Sequence, residues 1–126
     1  MNGLAVILAA GQGSRMGGVD LNRQYSPREI VISENGAAYP DRVDSGGRVR
    51  DNDRISYLER HLEAVADARD AGVPVTGYYV WSLLDNYEWS LGYTKRFGVI
   101  RVDFETQKRT IKDSGRWYEA LIAASR

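Results

Sequence analysis

A chain of 126 residues has the size of one domain and can bury roughly two-thirds of the surface its unfolded form exposes. Its 17 basic and 17 acidic residues cancel, which gives no electrostatic reason to expect a nucleic-acid or anionic-membrane partner, and the lack of cysteine excludes disulfides and thiolate metal sites. One histidine argues against a histidine-rich metal centre, no apolar run approaches the ~20 residues that cross a bilayer, and Met1-Asn2-Gly3 lacks the charged start of a signal peptide, so a soluble cytoplasmic protein without metal or cofactor is expected.

In chain order, Leu4-Ala5-Val6-Ile7-Leu8 is a short continuous apolar run, the pattern of a strand buried on both faces. A glycine-rich loop follows over 11–18, and a short helix is predicted over 19–25, stopped near Pro27. Residues 29–33 form a second β-rich run, closed by Asn35-Gly36. Residues 37–50 mix Gly, Pro, Asp and Arg and read as a solvated loop, as do the other charged residues up to 54. The strongest helix spans 51–71, with Ile55, Leu58, Leu62 and Val65 in one apolar stripe. Asp51 or Asp53 can cap its start, and Gly72 stands where a left-handed C-terminal cap belongs. Residues 75–81 are a third strand, 99–104 and 109–111 a hairpin, and Trp117-Tyr118 with Leu121-Ile122 opens onto a closing helix. The order is α/β, with parallel strands and helical crossovers.

Glu34 ends the second strand, where parallel α/β folds gather their sites, and a carboxylate there can attack a sugar carbon or shuttle a proton. Equally, it could be a turn residue beside an Asn-Gly corner. Trp81, Asp85, Glu88 and Trp89 follow the third strand, hence the same sheet edge. Rings cover the flat C–H faces of sugars and carboxylates bond their hydroxyls, although the same cluster could be an apolar plug with a solvated rim. Leu8 to Met16 could aim backbone N–H groups at phosphate, with Gly11, Gly13 and Arg15 as candidate nucleotide-loop residues, or could be a plain strand-to-helix connection. His61 lies off the apolar stripe with no second ligand at metal spacing and reads as a surface or packing residue.

Ile32-Ser33-Glu34-Asn35-Gly36 resembles the strand-end Ile-Thr-Glu-Asn-Gly motif of family 1 glycoside hydrolases, with Ser for Thr. Arg54-x-x-Tyr57-Leu58-x-x-His61-Leu62 is similar to the helix after that strand. Residues 77–89, GYYVWSLLDNYEW, resemble the last barrel strand and its loop, and Gly92-Tyr93-x-x-Arg96-Phe97-Gly98 and Arg116-Trp117-Tyr118 extend the match. The resemblance covers residues 21–126. It implies a β-glucosidase-type retaining hydrolase with Glu34 as nucleophile, with Glu88 and Trp89 on sugar hydroxyls and with Trp81 and Phe97 lining the same subsite. It also implies a (β/α)8 barrel, a fold of typically ~250 residues, of which this stretch would supply the seventh and eighth β/α units plus one extra N-terminal strand.

Residues 1–20 instead resemble the first strand and Leu-Ala-Ala-Gly-x-Gly-x-Arg-Met loop of nucleotidyltransferases, which implies a junction near residue 20. The family's acid/base glutamate lies in an Asn-Glu-Pro motif, and no Asn-Glu pair occurs here. Retaining hydrolysis uses two carboxyls ~5 Å apart, so this chain alone is expected to be nearly inactive. A β-glycoside is the expected ligand. Self-association through open sheet edges is the expected partner behaviour. The alternatives are a non-enzymatic chimeric scaffold and a nucleotide binder.

Overall fold

In the computed structural model, which describes residues 4–10 and 21–125, the parallel strands expected from the sequence form one sheet. Strand β1 (Leu4–Ala10) pairs with β2 (Glu29–Gly36) and β2 pairs with β3 (Val75–Val80), in the spatial order β1-β2-β3. Helix α1 (Leu21–Tyr25) precedes β2, and α2 (Asn52–Asp70) is the crossover from β2 to β3. An antiparallel ribbon of β4 (Ile100–Val102) and β5 (Arg109–Ile111) leads into α3 (Asp113–Ala124). Parallel neighbours need such a crossover, because a tight turn can only reverse the chain.

Two strands run further than their sequences suggest. A one-residue shift between Ile7 and Leu8 sets Leu8 opposite Glu34, Ala9 opposite Asn35 and Ala10 opposite Gly36. Asn35-Gly36 is therefore the end of β2 and not a corner after it. Pairing on both sides holds these residues extended against their turn propensity.

Helix α2 ends as its sequence predicts. Gly72 has φ +87, its N–H bonds Arg69 O at 2.9 Å, and the Val73 N–H bonds Ala68 O at 2.9 Å. This is a Schellman closure. The apolar stripe is only partly core: Leu58 is buried, whereas Ile55, Leu62 and Val65 are half-buried. The buried position one turn before Leu58 belongs to Arg54.

The start of α2 departs from expectation. Asp51 occupies the N-cap position but makes no side-chain cap bond to its own helix. It caps α3 instead: its Oδ1 accepts the Ser114 N–H at 2.9 Å, and the Ser114 hydroxyl donates to Oδ2 at 2.5 Å. One carboxylate thus satisfies an orphan amide at the start of a helix 63 residues away.

Nor is 37–50 merely a solvated loop. Val43 and Val49 form an antiparallel bridge, Val49 is fully buried, and its carbonyl accepts the Asp113 N–H at 3.0 Å. Asp41 is equally buried at its side chain and faces Arg54 at 2.8 Å. The charged residues of this stretch divide. Arg42, Arg48 and Arg50 are exposed, while Asp41, Asp51 and Arg54 enter the interior.

There they join a cluster of six charges. Arg54 bonds Asp41 and Asp51, Lys112 bonds Asp41 and Asp85 (the latter at 2.9 Å), and Arg96 bonds Asp85 at 2.6 Å. Three cations meet three anions, so no net charge is buried. A buried ion pair survives its desolvation cost only when such bonds are complete. Burial lowers the Arg54 pKa, but the Asp41 and Asp51 carboxylates outweigh it and the net shift is upward. For Lys112 burial and the neighbouring Arg54 dominate, and the ammonium lies below its ordinary value.

Candidate active site

The C-terminal end of β2 is fixed from three directions. Asn35 Oδ1 accepts from Tyr78 OH at 2.6 Å, Asn35 Nδ2 donates to Tyr57 OH at 3.3 Å, and the Asn35 carbonyl accepts the Trp81 N–H at 2.8 Å. Burial pushes both the Tyr78 and the Tyr57 phenols above their ordinary values. Tyr78 therefore stays protonated and donating far into the alkaline range. The Tyr57 ring stacks on His61 with centroids 4.0 Å apart, and His61 Nδ1 lies 2.7 Å from Tyr57 O. His61 is thus a packing residue behind the strand end.

Gly36 is required by close approach. A Cβ there would lie 1.7 Å from the Trp81 carbonyl oxygen. The Glu34-Asn35-Gly36 segment and the exit of β3 are consequently in backbone contact, and Glu34 is held half-buried within β2.

Beyond β3 the chain runs alongside residues 97–100. The Ser82 N–H donates to Phe97 O at 3.2 Å, the Val99 N–H to Ser82 O at 2.8 Å, and the Asp85 N–H to Ile100 O at 3.0 Å. The Trp81–Ser82 peptide is cis. This ladder brings Trp81 and Phe97, both half-buried, to neighbouring strands of backbone. Glu88 is half-buried and its N–H donates to Gly92 O at 2.7 Å, closing a 3-10 turn over Trp89–Leu91.

Trp89 is different. It has φ +43 and stands 82% exposed, and Tyr87 and Tyr93 beside it are exposed as well. The structure places Glu34, Trp81, Glu88 and Phe97 around the sheet's C-terminal edge but does not enclose Trp89 with them. Asp85, grouped with the sugar-facing carboxylates by sequence alone, is a scaffold residue. It is buried and accepts from Gly98 N–H at 3.0 Å and Val102 N–H at 3.4 Å in addition to Arg96 and Lys112. Its lone pairs are committed and none is left for a hydroxyl. Gly11, Gly13 and Arg15 lie outside the described residues.

The residues missed by sequence reasoning are the cluster members Asp41, Arg54, Arg96, Lys112 and Ser114. Arg54 had one sign of its burial: it stands four residues before Leu58, on the face of the apolar stripe. Lys112 and Asp41 had none, because their partners are 71 residues apart in sequence.

A parallel β/α segment whose glutamates and aromatic residues gather at the strand C-terminal ends belongs to the barrel-like α/β enzymes. The Glycosyl hydrolase family 1 model matches residues 7–126, so the chain is a member of that family. The match begins inside β1 and runs through the glycine-rich loop, so a separate nucleotidyltransferase-like segment over residues 1–20 has no support. The chain is 56% identical over 102 residues to a 1,4-beta-D-glucan glucohydrolase of Thermotoga neapolitana, and 52% identical over 102 residues to Beta-glucosidase A of Thermotoga maritima. Each match covers 81% of this chain and 23% of the relative. The solved family 1 β-glucosidase of Thermotoga maritima superposes with a TM-score of 0.81 at 51% identity, covering 82% of this chain and 23% of that one. The chain spans about a quarter of the length of these relatives, and its fold is that of a TIM-barrel fragment.

Proposed function

We propose that these residues are the nucleophile-bearing part of a β-glucosidase-type retaining hydrolase, corresponding to the seventh and eighth β/α units of its barrel. Glu34 is the nucleophile, Glu88 and Trp89 bind sugar hydroxyls, and Trp81 and Phe97 line the subsite. Residues 21–126 carry this machinery. The observation behind the assignment is the immobilised strand end: Glu34 precedes an asparagine clamped by two phenols and a glycine pressed against Trp81. Solved structures of the Thermotoga maritima β-glucosidase hold castanospermine and glucoimidazole, which supports a sugar-shaped ligand for this chain.

In the first step a Glu34 oxygen forms a bond to the anomeric carbon as the glycosidic C–O bond breaks, leaving a glycosyl ester. Water then cleaves the ester and returns the carboxylate. An ordinary alkyl glycoside needs a general acid for its leaving oxygen, worth ~10²–10⁴-fold in rate, and these 126 residues hold no Asn-Glu pair to supply it. An aryl β-glucoside with an acidic phenol departs unprotonated and is the substrate on which residual activity should survive.

The test compares aryl release by the wild-type chain with that of Glu34→Gln, each purified free of host glycosidase. Slow release that vanishes in the variant supports the assignment. Equal background from both proteins would sink it and leave a folded scaffold.

A further inference from the structure

Beside β3 the surface is open and apolar. Two adjoining hollows of about 530 and 580 Å³ flank this strand and α3, and Leu83, Val99, Tyr118 and Ile122 line both. Tyr79 borders one and Ile111 the other. Leu83 is 67% exposed, Tyr79 62%, and Ile111 and Ile122 are exposed too. Three of these are large side chains on one continuous groove, which a monomeric surface rarely leaves bare.

The strand beside the groove has the composition of a covered one. β3 reads VTGYYV and pairs only with β2 among the described strands, so its other edge is free. It has no charged residue and no proline, the usual protections of an exposed edge. At the far side of the sheet β1, LAVILAA, is an equally unprotected edge. Both are sequences of interior parallel strands, which are normally flanked on each side by another strand and covered by helices.

We infer that the groove between β3 and α3 is a docking surface for the portion of a family 1 barrel that these residues do not match, whether joined to them or supplied as a separate chain. The occupant is a β/α unit: its strand continues the parallel sheet at the free edge of β3, and its helix lays an apolar face against Leu83, Tyr118 and Ile122. The argument rests on coverage. The solved relative matches this fold at a TM-score of 0.81 yet has only 23% of its chain accounted for by it, and a barrel closes only when every strand has two neighbours. The self-association expected from the sequence is the rival use of the same edges.

The test pairs the full 126-residue chain with Beta-glucosidase A of Thermotoga maritima truncated before the quarter that this chain matches, the two co-expressed with an affinity tag on the truncated fragment. The wild-type chain should be retained with it at one to one. In the complex, amide hydrogen exchange across residues 75–80 should slow by at least roughly tenfold, as expected when edge amides gain partners. Leu83→Lys and Ile122→Glu sit on exposed side chains and should keep the chain's own melting temperature while weakening retention by roughly tenfold or more. Failure of the wild-type chain to rescue or retain the fragment overturns the inference, as does a complex in which 75–80 exchange unchanged, or self-association that persists with the fragment in excess. Because the docking rests on the fold and not on Glu34, a one-to-one complex that fails to hydrolyse an aryl glucoside would uphold this surface while removing the proposed nucleophile.

Discussion

The two ends of the β2–β3 interface, one behind the strands and one beyond them, are built on opposite rules. Behind the sheet, three acidic and three basic side chains meet with their bonds to each other complete, and Lys112 and Arg54 are as buried as any leucine. Beyond the strand ends and along β3, aromatic and aliphatic residues stand in the open: Trp89, Leu83, Tyr79 and Tyr87 are each more than 60% exposed. Ionic groups, the costliest to bury alone, are satisfied within the chain. Apolar groups, the cheapest to leave for a neighbour, are not. A segment whose charges close on themselves and whose apolar faces do not can hold its own shape while remaining part of a larger one.

The sharpest way to break this contrast is to remove one cation from the cluster. Arg54→Met leaves Asp41 and Asp51 without their principal partner in a site closed to solvent, and removal of one member of a buried pair costs about 3–5 kcal/mol. Urea unfolding followed by circular dichroism should show it as a large fall in midpoint at unchanged slope. Arg48→Ala removes a pair whose arginine is half exposed, Arg48–Asp113, and should leave the midpoint where it was. Equal effects would mean that burial does not distinguish the two pairs.

How much of this was legible from the residues alone depends on the range of the interaction. The strand-end motif around Glu34, the helix with its Gly72 closure, and the parallel order all depend on patterns within a few residues, and they emerged nearly complete. The last residues of β2, the role of Asp51 as a cap for a distant helix and the loss of Asp85 to the scaffold did not. Each is decided by a partner 13 or more residues away, which no local pattern reports. The carboxylates are the instructive case. Glu88 and Asp85 lie three residues apart with the same chemistry, and only the contacts of Asp85 with Gly98, Arg96 and Lys112 set them apart.

Leu58 and Leu62 sharpen the comparison within the apolar set. Leu58 is buried, and truncation to alanine should cost about 2–5 kcal/mol. Leu62, half-buried in the same stripe, should lose clearly less. A Leu62→Ala loss equal to that of Leu58→Ala would show that the outer stripe is closed by something the described residues do not supply.

Gly36→Ala tests the strand end itself. A Cβ at 1.7 Å from a backbone oxygen cannot be absorbed by a side-chain rotation, so the β2 and β3 ends must separate. Overpacking of this kind costs roughly 1–3 kcal/mol and should also remove whatever Glu34-dependent aryl release the wild type shows. An alanine variant of unchanged stability would mean that the two ends are not in contact.

The smallest effect is the alkaline one, and its sign separates the two regions. Burial raises the pKa of Tyr78, Tyr57 and Tyr118, so in the folded state these phenols keep their protons above pH 10 while the unfolded chain gives them up. The folded state then binds more protons than the unfolded one, and stability must fall as the pH rises past 10. Lys112 works in the other direction: its folded pKa lies below 10.5, so in the window just beneath that value the unfolded chain binds the extra proton and stability rises with pH. Three phenols against one ammonium should leave a net decline above pH 10. Tyr78→Phe removes the most strongly shifted phenol along with its bond to Asn35, which should lower stability at neutral pH by about 0.5–1.5 kcal/mol and flatten the alkaline decline. Lys112→Met should steepen that decline, since it deletes the opposing group. Unfolding free energies measured by urea titration from pH 7 to 12 on the three proteins decide the matter. A wild type whose stability climbs above pH 10 would show that Lys112 outweighs the phenols, and that the charge cluster governs the chain's response to pH.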